Sequence, residues 1–309
     1  MPELQAKIGG LTLRSPVLAA AGTFGYGTEF EQAVRLDRLG AIITKTVTRL
    51  PRDGNPPPRL IETPSGMINA VGLQNVGLNA FIDKKLPQLS RLPVPIIASV
   101  LGESPEDLAE MVGRLDAADS VSGIEVNLSC PNVKHGRAST LHPNMMAQDT
   151  QATLDMVRAA RLATKKTLIA KLSPEVTDLA PIASAAESAG ADALTLANTY
   201  LGMSLDPKTR RSRLGAATGG VSGPAIRPLA VYRVWYTAQI VKIPIVGLGG
   251  ILKTEDALEF FMAGATVVAV GTATFADPRA AERIVEGLER YLAKEGLQSL
   301  AEIRLPAAQ

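Results

Sequence analysis

The chain has 309 residues, 46% of them hydrophobic and 20% charged, and its formal net charge of +2 gives no electrostatic case for binding nucleic acid or an anionic membrane. A single cysteine excludes an internal disulfide and, within this chain alone, a four-cysteine zinc or iron–sulfur site. The N-terminus lacks the apolar core of a signal peptide and no apolar run reaches the roughly 18 residues of a membrane span, so we expect a soluble protein in the reducing cytoplasm.

Short apolar runs, each bounded by glycine, proline or polar residues, recur along the chain and predict eight β-strands. They cover residues 17–21, 41–45, 96–100, 123–128, 168–172, 193–198, 245–248 and 267–270. Strands that are apolar throughout are typical of a parallel sheet covered on both faces. Helical patterns separate most of them, for example over 106–114, 180–188 and 254–262, the last with Thr254 as its N-cap. This alternation predicts a (β/α)8 TIM barrel formed by residues 1–309 as one domain, with a doubly wound sheet as the alternative.

Three segments lie outside this repeat. Residues 4–13 contain Gly9 and Gly10 between two short strand-like runs, which predicts an N-terminal hairpin that closes the bottom of the barrel. Residues 50–76 and 201–222 are long insertions after the second and sixth strands. Long ordered loops often cover a binding site, so we expect lid loops at the C-terminal face of the barrel. The basic cluster over 208–213 is interpreted as part of a solvated loop.

Polar or glycine residues stand at the C-terminal end of every predicted strand. In chain order they are Ala21 with Gly22, Lys45 with Thr46, Ser99, Asn127, Lys171, Asn198 with Thr199, Gly249 with Gly250, and Gly271 with Thr272. The carboxyl ends of barrel strands meet at one mouth, where barrel enzymes have their active sites. A lone lysine at such a position could be an ordinary surface side chain, but the joint occurrence on consecutive strands predicts an active site.

The single cysteine, Cys130, directly follows the fourth predicted strand and precedes Pro131 and Asn132. Free cysteines are often inert core residues. Cys130 instead lies beyond the strand, among polar neighbours and at the predicted mouth, which favours a chemical role.

The glycines near the end of the chain predict a site for a phosphate group. Gly249, Gly250 and Gly271 would let backbone N–H groups approach an anion closely, and Gly223 lies in a third such segment. No G-x-G-x-x-G motif follows a strand, so a Rossmann nicotinamide site is not indicated. The chain's two histidines, His135 and His142, have no partner at metal-ligand spacing, and no metal site is predicted.

Taken together, these motifs resemble the dihydroorotate dehydrogenase family, in its cysteine-type class, over nearly the whole chain. The matching segments are Ala21-Gly22, Thr44-Lys45-Thr46, residues 69–73, Asn127-Leu128-Ser129-Cys130-Pro131-Asn132, Lys171, Asn198-Thr199, Ser222-Gly223, Gly249-Gly250 and Gly271-Thr272. Val133-Lys134-His135-Gly136 resembles the NAD-linked subclass. Ser99 departs from the pattern, because family members usually have an asparagine there.

The resemblance implies a barrel that binds one FMN and oxidises (S)-dihydroorotate to orotate in pyrimidine biosynthesis. It implies Cys130 as the general base and FMN as the hydride acceptor. The residues implied to hold FMN are Ala21, Lys45, Thr46, Ser99, Asn127, Lys171, Ala197, Gly223, Gly249, Gly250, Gly271 and Thr272. Those implied to bind the substrate are Lys45, Asn69, Ala70, Val71, Gly72, Leu73, Asn127, Asn198 and Thr199.

The resemblance also implies partners. An electron-transfer subunit with FAD and an iron–sulfur cluster would pass electrons to NAD, and this chain would form a homodimer within a heterotetramer. Two related alternatives are a dihydropyrimidine dehydrogenase subunit and a fumarate-linked dihydroorotate dehydrogenase. More distant alternatives are a barrel aldolase or isomerase with Lys171 as a Schiff-base lysine, and a non-catalytic FMN-binding protein.

Overall fold

A closed barrel of eight parallel strands forms the centre of the computed structural model, which describes residues 4–129 and 145–306. The strands in chain order are β1 (Ala6–Ile8), β2 (Leu11–Leu13), β3 (Val17–Ala19), β4 (Ala41–Ile43), β5 (Leu60–Thr63), β6 (Gly66–Asn69), β7 (Ile96–Val100), β8 (Gly123–Asn127), β9 (Thr167–Lys171), β10 (Ala193–Leu196), β11 (Tyr200–Gly202), β12 (Leu205–Asp206), β13 (Arg211–Ser212), β14 (Gly219–Ser222), β15 (Ile245–Leu248) and β16 (Val267–Val270). The barrel contains β3, β4, β7, β8, β9, β10, β15 and β16 in this order, and β16 pairs with β3 to close the ring. The predicted TIM barrel is confirmed, and the doubly wound alternative is wrong.

Helices surround the barrel. They are α1 (Gly77–Ala80), α2 (Leu86–Leu89), α3 (Pro105–Asp116), α4 (Thr150–Ala163), α5 (Ala180–Ser188), α6 (Arg227–Ala238), α7 (Thr254–Ala263), α8 (Ala273–Ala276) and α9 (Ala280–Glu295), with a π-helical segment, Phe81–Lys85, between α1 and α2. Strand residues alternate between two environments. On β8, Ile124 and Val126 belong to the core between barrel and helices, whereas Glu125 and Asn127 face the barrel interior. The interior positions therefore supply the polar groups beneath the mouth.

The N-terminal hairpin of β1 and β2 closes the bottom of the barrel. Its fully buried Ile8 and Leu13 form one cluster with inward-facing residues of the barrel strands, such as Ile97 and Val246. Thr167, at the first position of β9, accepts a hydrogen bond from Gly10 N (3.1 Å) and so ties the hairpin to that end. The apolar hairpin fills the bottom of the barrel interior, so its open end is the C-terminal mouth.

The two long insertions pair with each other to form a four-stranded antiparallel sheet, in the order β11, β14, β6, β5. Asn69 of β6 pairs with Gly220 of β14 and donates a hydrogen bond from Nδ2 to Gly220 O (3.2 Å). Gly220 has no room for a side chain, because a Cβ there would lie 2.0 Å from Thr199 Oγ1. The sequence analysis expected lid loops here and did not predict these short strands, two of which join segments about 150 residues apart.

Several predicted boundaries require correction. The strands predicted over 17–21, 41–45 and 193–198 end earlier, at Ala19, Ile43 and Leu196. Thr254 is the first residue of α7 and not its cap. The Asp256 carboxylate accepts hydrogen bonds from the N–H groups of Leu252 (2.9 Å) and Lys253 (3.0 Å), and this starts the helix one residue earlier. Within the described residues, no helix is long and apolar enough to cross a membrane.

Candidate active site

A cavity of about 180 Å³ opens at the C-terminal ends of the barrel strands. Its wall contains most of the residues that the sequence singled out: Ala21, Lys45, Thr46, Asn69, Val71, Gly72, Leu73, Asn127, Lys171, Ala197, Asn198, Thr199, Gly223, Gly249, Gly250, Gly271 and Thr272. These residues come from all parts of the chain, and parallel closure of the barrel is what brings them together. What each of them binds stays a prediction at this point.

Two predicted site residues in the described part of the chain, Ser99 and Ala70, stand apart from this wall. Ser99 is fully buried beneath the cavity and does not line it. Ala70 is buried between the insertion strands, in a cluster with Ile68 and Leu214, and also does not line the cavity. Cys130 lies outside the described residues, as do both histidines, so its predicted role remains a prediction.

The sequence analysis missed the apolar part of the wall, which contains Leu60, Ile226, Leu248, Ile251, Leu252 and Phe275. The exposed ones, Leu60, Leu252 and Phe275, form an apolar rim. Apolar residues give no chemical signal in a sequence, because most of them belong to the core. Their positions beside predicted site residues were the available signal. Leu252 follows Gly250 by two residues, and Phe275 follows Thr272 by three. Phe275 is 52% exposed, so the rim leaves apolar surface facing solvent at the mouth.

Hydrogen bonds connect the amide side chains on one side of the cavity. Asn127 Oδ1 accepts from Ser129 N (3.3 Å) and Ser129 Oγ (3.4 Å). Asn198 Nδ2 donates to Ser129 O and to Ser129 Oγ, both at 2.9 Å. Ser129 immediately precedes Cys130 in the chain. The two asparagines therefore fix Ser129, the last described residue before the cysteine, relative to the cavity.

Two lysines are the charged residues in the described part of the cavity wall, and no carboxylate lines it. Lys171 ends β9 and is 5% exposed. Lys45 follows β4, and burial lowers the pKa of its ammonium group below the ordinary lysine value. The positive charge of Arg59 lowers this pKa further, whereas the nearby carboxylate of Glu29 opposes both effects. Two desolvated cations without a lining carboxylate favour an anionic ligand.

The glycine loops bring two backbone segments unusually close at the opposite side of the cavity. Gly250 has a φ of +73°, and a Cβ there would lie 2.7 Å from Arg227 Cβ and 2.8 Å from Gly223 O. Only glycine fits such a conformation and spacing without displacing its neighbour. Gly271 and Thr272 precede the short helix α8, and their carbonyl groups accept from Thr274 N (2.9 Å) and Phe275 N (3.1 Å). The surface formed here consists of backbone, as a phosphate site requires.

Metal chemistry has no support in the described part of the chain. Residues 4–129 and 145–306 contain no group of three or more histidine, cysteine, aspartate or glutamate side chains placed to hold a metal ion. The polar atoms that line the cavity are amides, hydroxyls, two ammonium groups and backbone N–H groups. This donor set suits organic anions and hydrogen-bonding rings.

A closed parallel barrel whose strand ends form one cationic, glycine-lined cavity is the arrangement of a TIM-barrel enzyme that acts on an anionic ligand. A family model described as dihydroorotate dehydrogenase matches residues 3–292, and the chain belongs to that family. This assignment leaves the barrel aldolase alternative without support.

Relatives align with nearly the whole chain. It is 50% identical over 302 residues to the protein of Trichlorobacter lovleyi named dihydroorotate dehydrogenase B (NAD(+)), catalytic subunit, covering 98% of this chain and 97% of that one. The same name and coverage apply to a protein of Geobacter sulfurreducens at 50% identity and one of Pelobacter propionicus at 48%. Among solved structures, DHODH from Eimeria tenella in complex with ferulenol has a TM-score of 0.82 at 24% identity, covering 98% of this chain and 88% of the other, which supports the fold.

Proposed function

We propose that this chain is the catalytic subunit of an NAD-linked dihydroorotate dehydrogenase and oxidises dihydroorotate to orotate in pyrimidine biosynthesis. The main support is the agreement between two observations. Relatives at about 50% identity over nearly the whole chain carry that name, and most of the described residues expected for this chemistry line one cavity. We also propose that residues 1–309 act as one domain. A reducing, cytoplasmic setting fits a chain with one cysteine.

FMN fits the described side of the cavity. Gly22 lines the wall with a φ of +92°, and a Cβ there would have no protein atom within 4 Å, so the glycine leaves that space for a ligand. The backbone at Gly223, Gly250 and Thr272 would hold the phosphate, while Lys45 and Lys171 would hold the negatively polarised end of the ring system. When bound, FMN would supply the hydride acceptor of the reaction.

The substrate would occupy the part of the cavity between the insertion sheet and the asparagines. Asn69, Asn198 and Thr199 would form hydrogen bonds with the planar ring and orient it. Lys45 would attract its carboxylate and stabilise negative charge that develops during the reaction. Cys130, which follows the segment held by Asn127 and Asn198, would accept the proton that leaves one ring carbon as a hydride leaves its neighbour.

The proposed function is tested with the purified chain. We expect a yellow protein that releases FMN on denaturation, reduces an artificial dye with dihydroorotate and does not do so with dihydrouracil, which lacks the carboxylate. Turnover of dihydrouracil instead would favour the dihydropyrimidine dehydrogenase alternative. A colourless protein that takes up no added FMN would contradict the flavin assignment.

Replacing Gly250 with alanine is expected to weaken FMN binding about tenfold or more, because the new Cβ would strain a positive φ and displace the Gly223 carbonyl. The measurement is the dissociation constant of FMN, from titration of the apoprotein. Gly296→Ala is the matched control. Gly296 lies at the C-terminal end of α9 and has a similar φ of +69°. A Cβ at Gly296 would have no neighbour within 4 Å, so this variant reproduces the backbone strain without the steric clash. Equal FMN affinity in both variants would argue against a phosphate site at Gly250.

Orotate affinity is expected to fall as the pH rises through the pKa of Lys45. Because this pKa is lowered, the affinity should fall at a lower pH than the pKa of an ordinary lysine would give. An anion binds the protonated form of Lys45 more tightly than the neutral form, so orotate binding raises the Lys45 pKa. At pH values near this pKa, the protein therefore takes up a proton when orotate binds. Calorimetry in buffers of different ionisation enthalpy measures the uptake. A Cys130→Ala background removes the thiol, which ordinarily titrates near pH ~8.5. Lys45→Arg should bind orotate without proton uptake, and uptake that persists there would exclude Lys45 as its source.

The electron-transfer partner, which we propose to carry FAD and an iron–sulfur cluster, is expected to dock at the apolar rim. Leu252 and Phe275 line the cavity and are 43% and 52% exposed, so a subunit seated there would lie next to the bound flavin. Exposed apolar surface at the mouth of a site is typical of an interface. We also propose that two copies of this chain form a homodimer within a heterotetramer.

A further inference from the structure

A carboxylate lies inside the barrel, directly below the cavity, with two hydroxyl groups as its partners. Glu125 is fully buried on β8, two residues before Asn127 and on the same interior face. Its Oε1 accepts a hydrogen bond from Ser99 Oγ (3.2 Å), and its Oε2 accepts one from Thr195 Oγ1 (3.0 Å). In the described part of the chain, no cationic nitrogen lies within ion-pair distance of it.

Neither packing nor the proposed reaction accounts for this group. A carboxylate is costly to bury, and an apolar side chain of similar size would fill the same space at a lower free-energy cost. Glu125 does not line the cavity, so it cannot touch a ligand there. In its ionised form a glutamate side chain only accepts hydrogen bonds, whereas a hydroxyl or an amide can also donate.

This property fixes the direction of a hydrogen-bond chain that leads to the cavity. Ser99 has one hydroxyl hydrogen and donates it to Glu125. Thr46 must therefore be the donor in the 2.9 Å hydrogen bond between Thr46 Oγ1 and Ser99 Oγ. Thr46 Oγ1, having used its hydrogen, then accepts from Asn127 Nδ2 at 3.1 Å. We call the series Asn127, Thr46, Ser99, Glu125 the interior chain.

The interior chain and the Ser129 backbone together set what Asn127 offers to a ligand. Asn127 Oδ1 accepts from the backbone N–H of Ser129, which can only donate. This bond and the bond from Asn127 Nδ2 to Thr46 require the same orientation of the Asn127 amide. One N–H of Nδ2 points to Thr46, and the other remains for the cavity that Asn127 lines. Asn127 therefore presents a hydrogen-bond donor and selects ligand groups that accept, such as a ring carbonyl.

We propose that Glu125 is a positioning residue, which acts through the interior chain to hold Asn127 as a hydrogen-bond donor toward the pyrimidine ligand. This inference rests on the proposed function. It also gives Ser99 a role different from the FMN contact that the family resemblance implied, because the Ser99 hydroxyl transmits the direction set by Glu125. The side chain of Asn127 is the group through which the effect reaches a ligand.

The test measures orotate binding to the FMN-loaded chain by calorimetry. Glu125→Gln keeps the shape of the side chain but can donate a hydrogen bond to Ser99. The hydrogen bonds of the interior chain can then reverse their direction, and the Asn127 amide can turn over. Ser99→Ala removes one hydroxyl and interrupts the interior chain. We expect each variant to bind orotate about tenfold more weakly, the effect of one misdirected hydrogen bond. In an Asn127→Ala background, Glu125→Gln should cause no further loss, because the two residues act as a unit.

Thr195→Val is the matched control, because it removes the other hydroxyl partner of Glu125 and leaves the interior chain intact. We expect a lower melting temperature with orotate affinity within about twofold of the parent. Normal orotate affinity in Ser99→Ala and Glu125→Gln would overturn the proposal. A full tenfold loss of affinity when Glu125→Gln is added to Asn127→Ala would also overturn it. If Glu125→Gln does not fold, Ser99→Ala alone decides. Failure of the parent protein to bind orotate at all would instead contradict the proposed function.

Discussion

Replacing Cys130 with alanine is expected to slow the reduction of bound FMN by dihydroorotate about 10²–10⁴-fold, the usual contribution of a general base. The substrate carbon would keep its orientation but lose the group that accepts its proton. FMN should remain bound, because the described cavity residues proposed to hold it come from other parts of the barrel mouth. Anaerobic stopped-flow measurement of flavin absorbance gives the rate, and the spectrum of the purified variant gives the FMN content.

The matched variant is Cys130→Ser, which keeps a hydroxyl in place of the thiol. A hydroxyl accepts a proton only with strong assistance, so we expect residual activity that increases at high pH. Orotate binding near neutral pH should change little in both variants, since Asn127, Asn198 and Lys45 are unaltered. A near-normal rate of flavin reduction in Cys130→Ala at neutral pH would eliminate Cys130 as the base.

The isolated chain is expected to reduce dyes with dihydroorotate but to gain NAD reduction only with its partner subunit. It has no G-x-G-x-x-G fingerprint and only one cysteine, so it holds neither a Rossmann nicotinamide site nor a cysteine-bound iron–sulfur cluster on its own. Stopped-flow reoxidation of the reduced protein by NAD, with and without the partner, is the measurement. Rapid reoxidation by NAD alone would contradict the need for a partner, and rapid reoxidation by fumarate would favour the fumarate-linked alternative.

A surface variant locates the partner in the same assay. Phe275→Asp should leave dye reduction intact but abolish most of the NAD-linked activity, because it places a charge in the apolar rim. Leu162→Asp is the control, because Leu162 is 84% exposed and lies near the C-terminal end of α4. The outer helices of a TIM barrel end at the bottom of the barrel, so Leu162 is far from the mouth. Equal loss in both variants would indicate a general defect and reject docking at the rim.

The barrel itself could be predicted because its signal is local. Each barrel strand is a short apolar run with a turn at either end, and burial on both faces is what makes the run apolar. The same logic located the site, since strand ends converge in any parallel barrel, and Lys45, Asn127 and Lys171 do line one cavity. The family resemblance then supplied chemistry that spacing alone leaves open.

The rest depends on contacts between distant segments. Strand β6 pairs with β14, which lies about 150 residues away in the chain, and no local pattern in either insertion marks that pairing. Ser99 illustrates the same limit. Its position at a strand end suggested the cavity wall, but its hydroxyl lies below the mouth, between Thr46 and Glu125. Which layer of a barrel a side chain occupies is set by the stagger between neighbouring strands, and the stagger is a property of the closed sheet.

The sequence by itself therefore determined the barrel, the end of the barrel that carries the site, and most of the residues around the cavity, because strand periodicity and turn chemistry are encoded locally. Only the tertiary structure decided that the insertions form a sheet beside the mouth and that apolar residues such as Phe275 form its rim. It also decided that hydrogen bonds through Ser99 and Thr46 connect Glu125 to Asn127. Those features arise from packing and hydrogen bonds between residues far apart in the chain, whose partners cannot be identified until the barrel has closed.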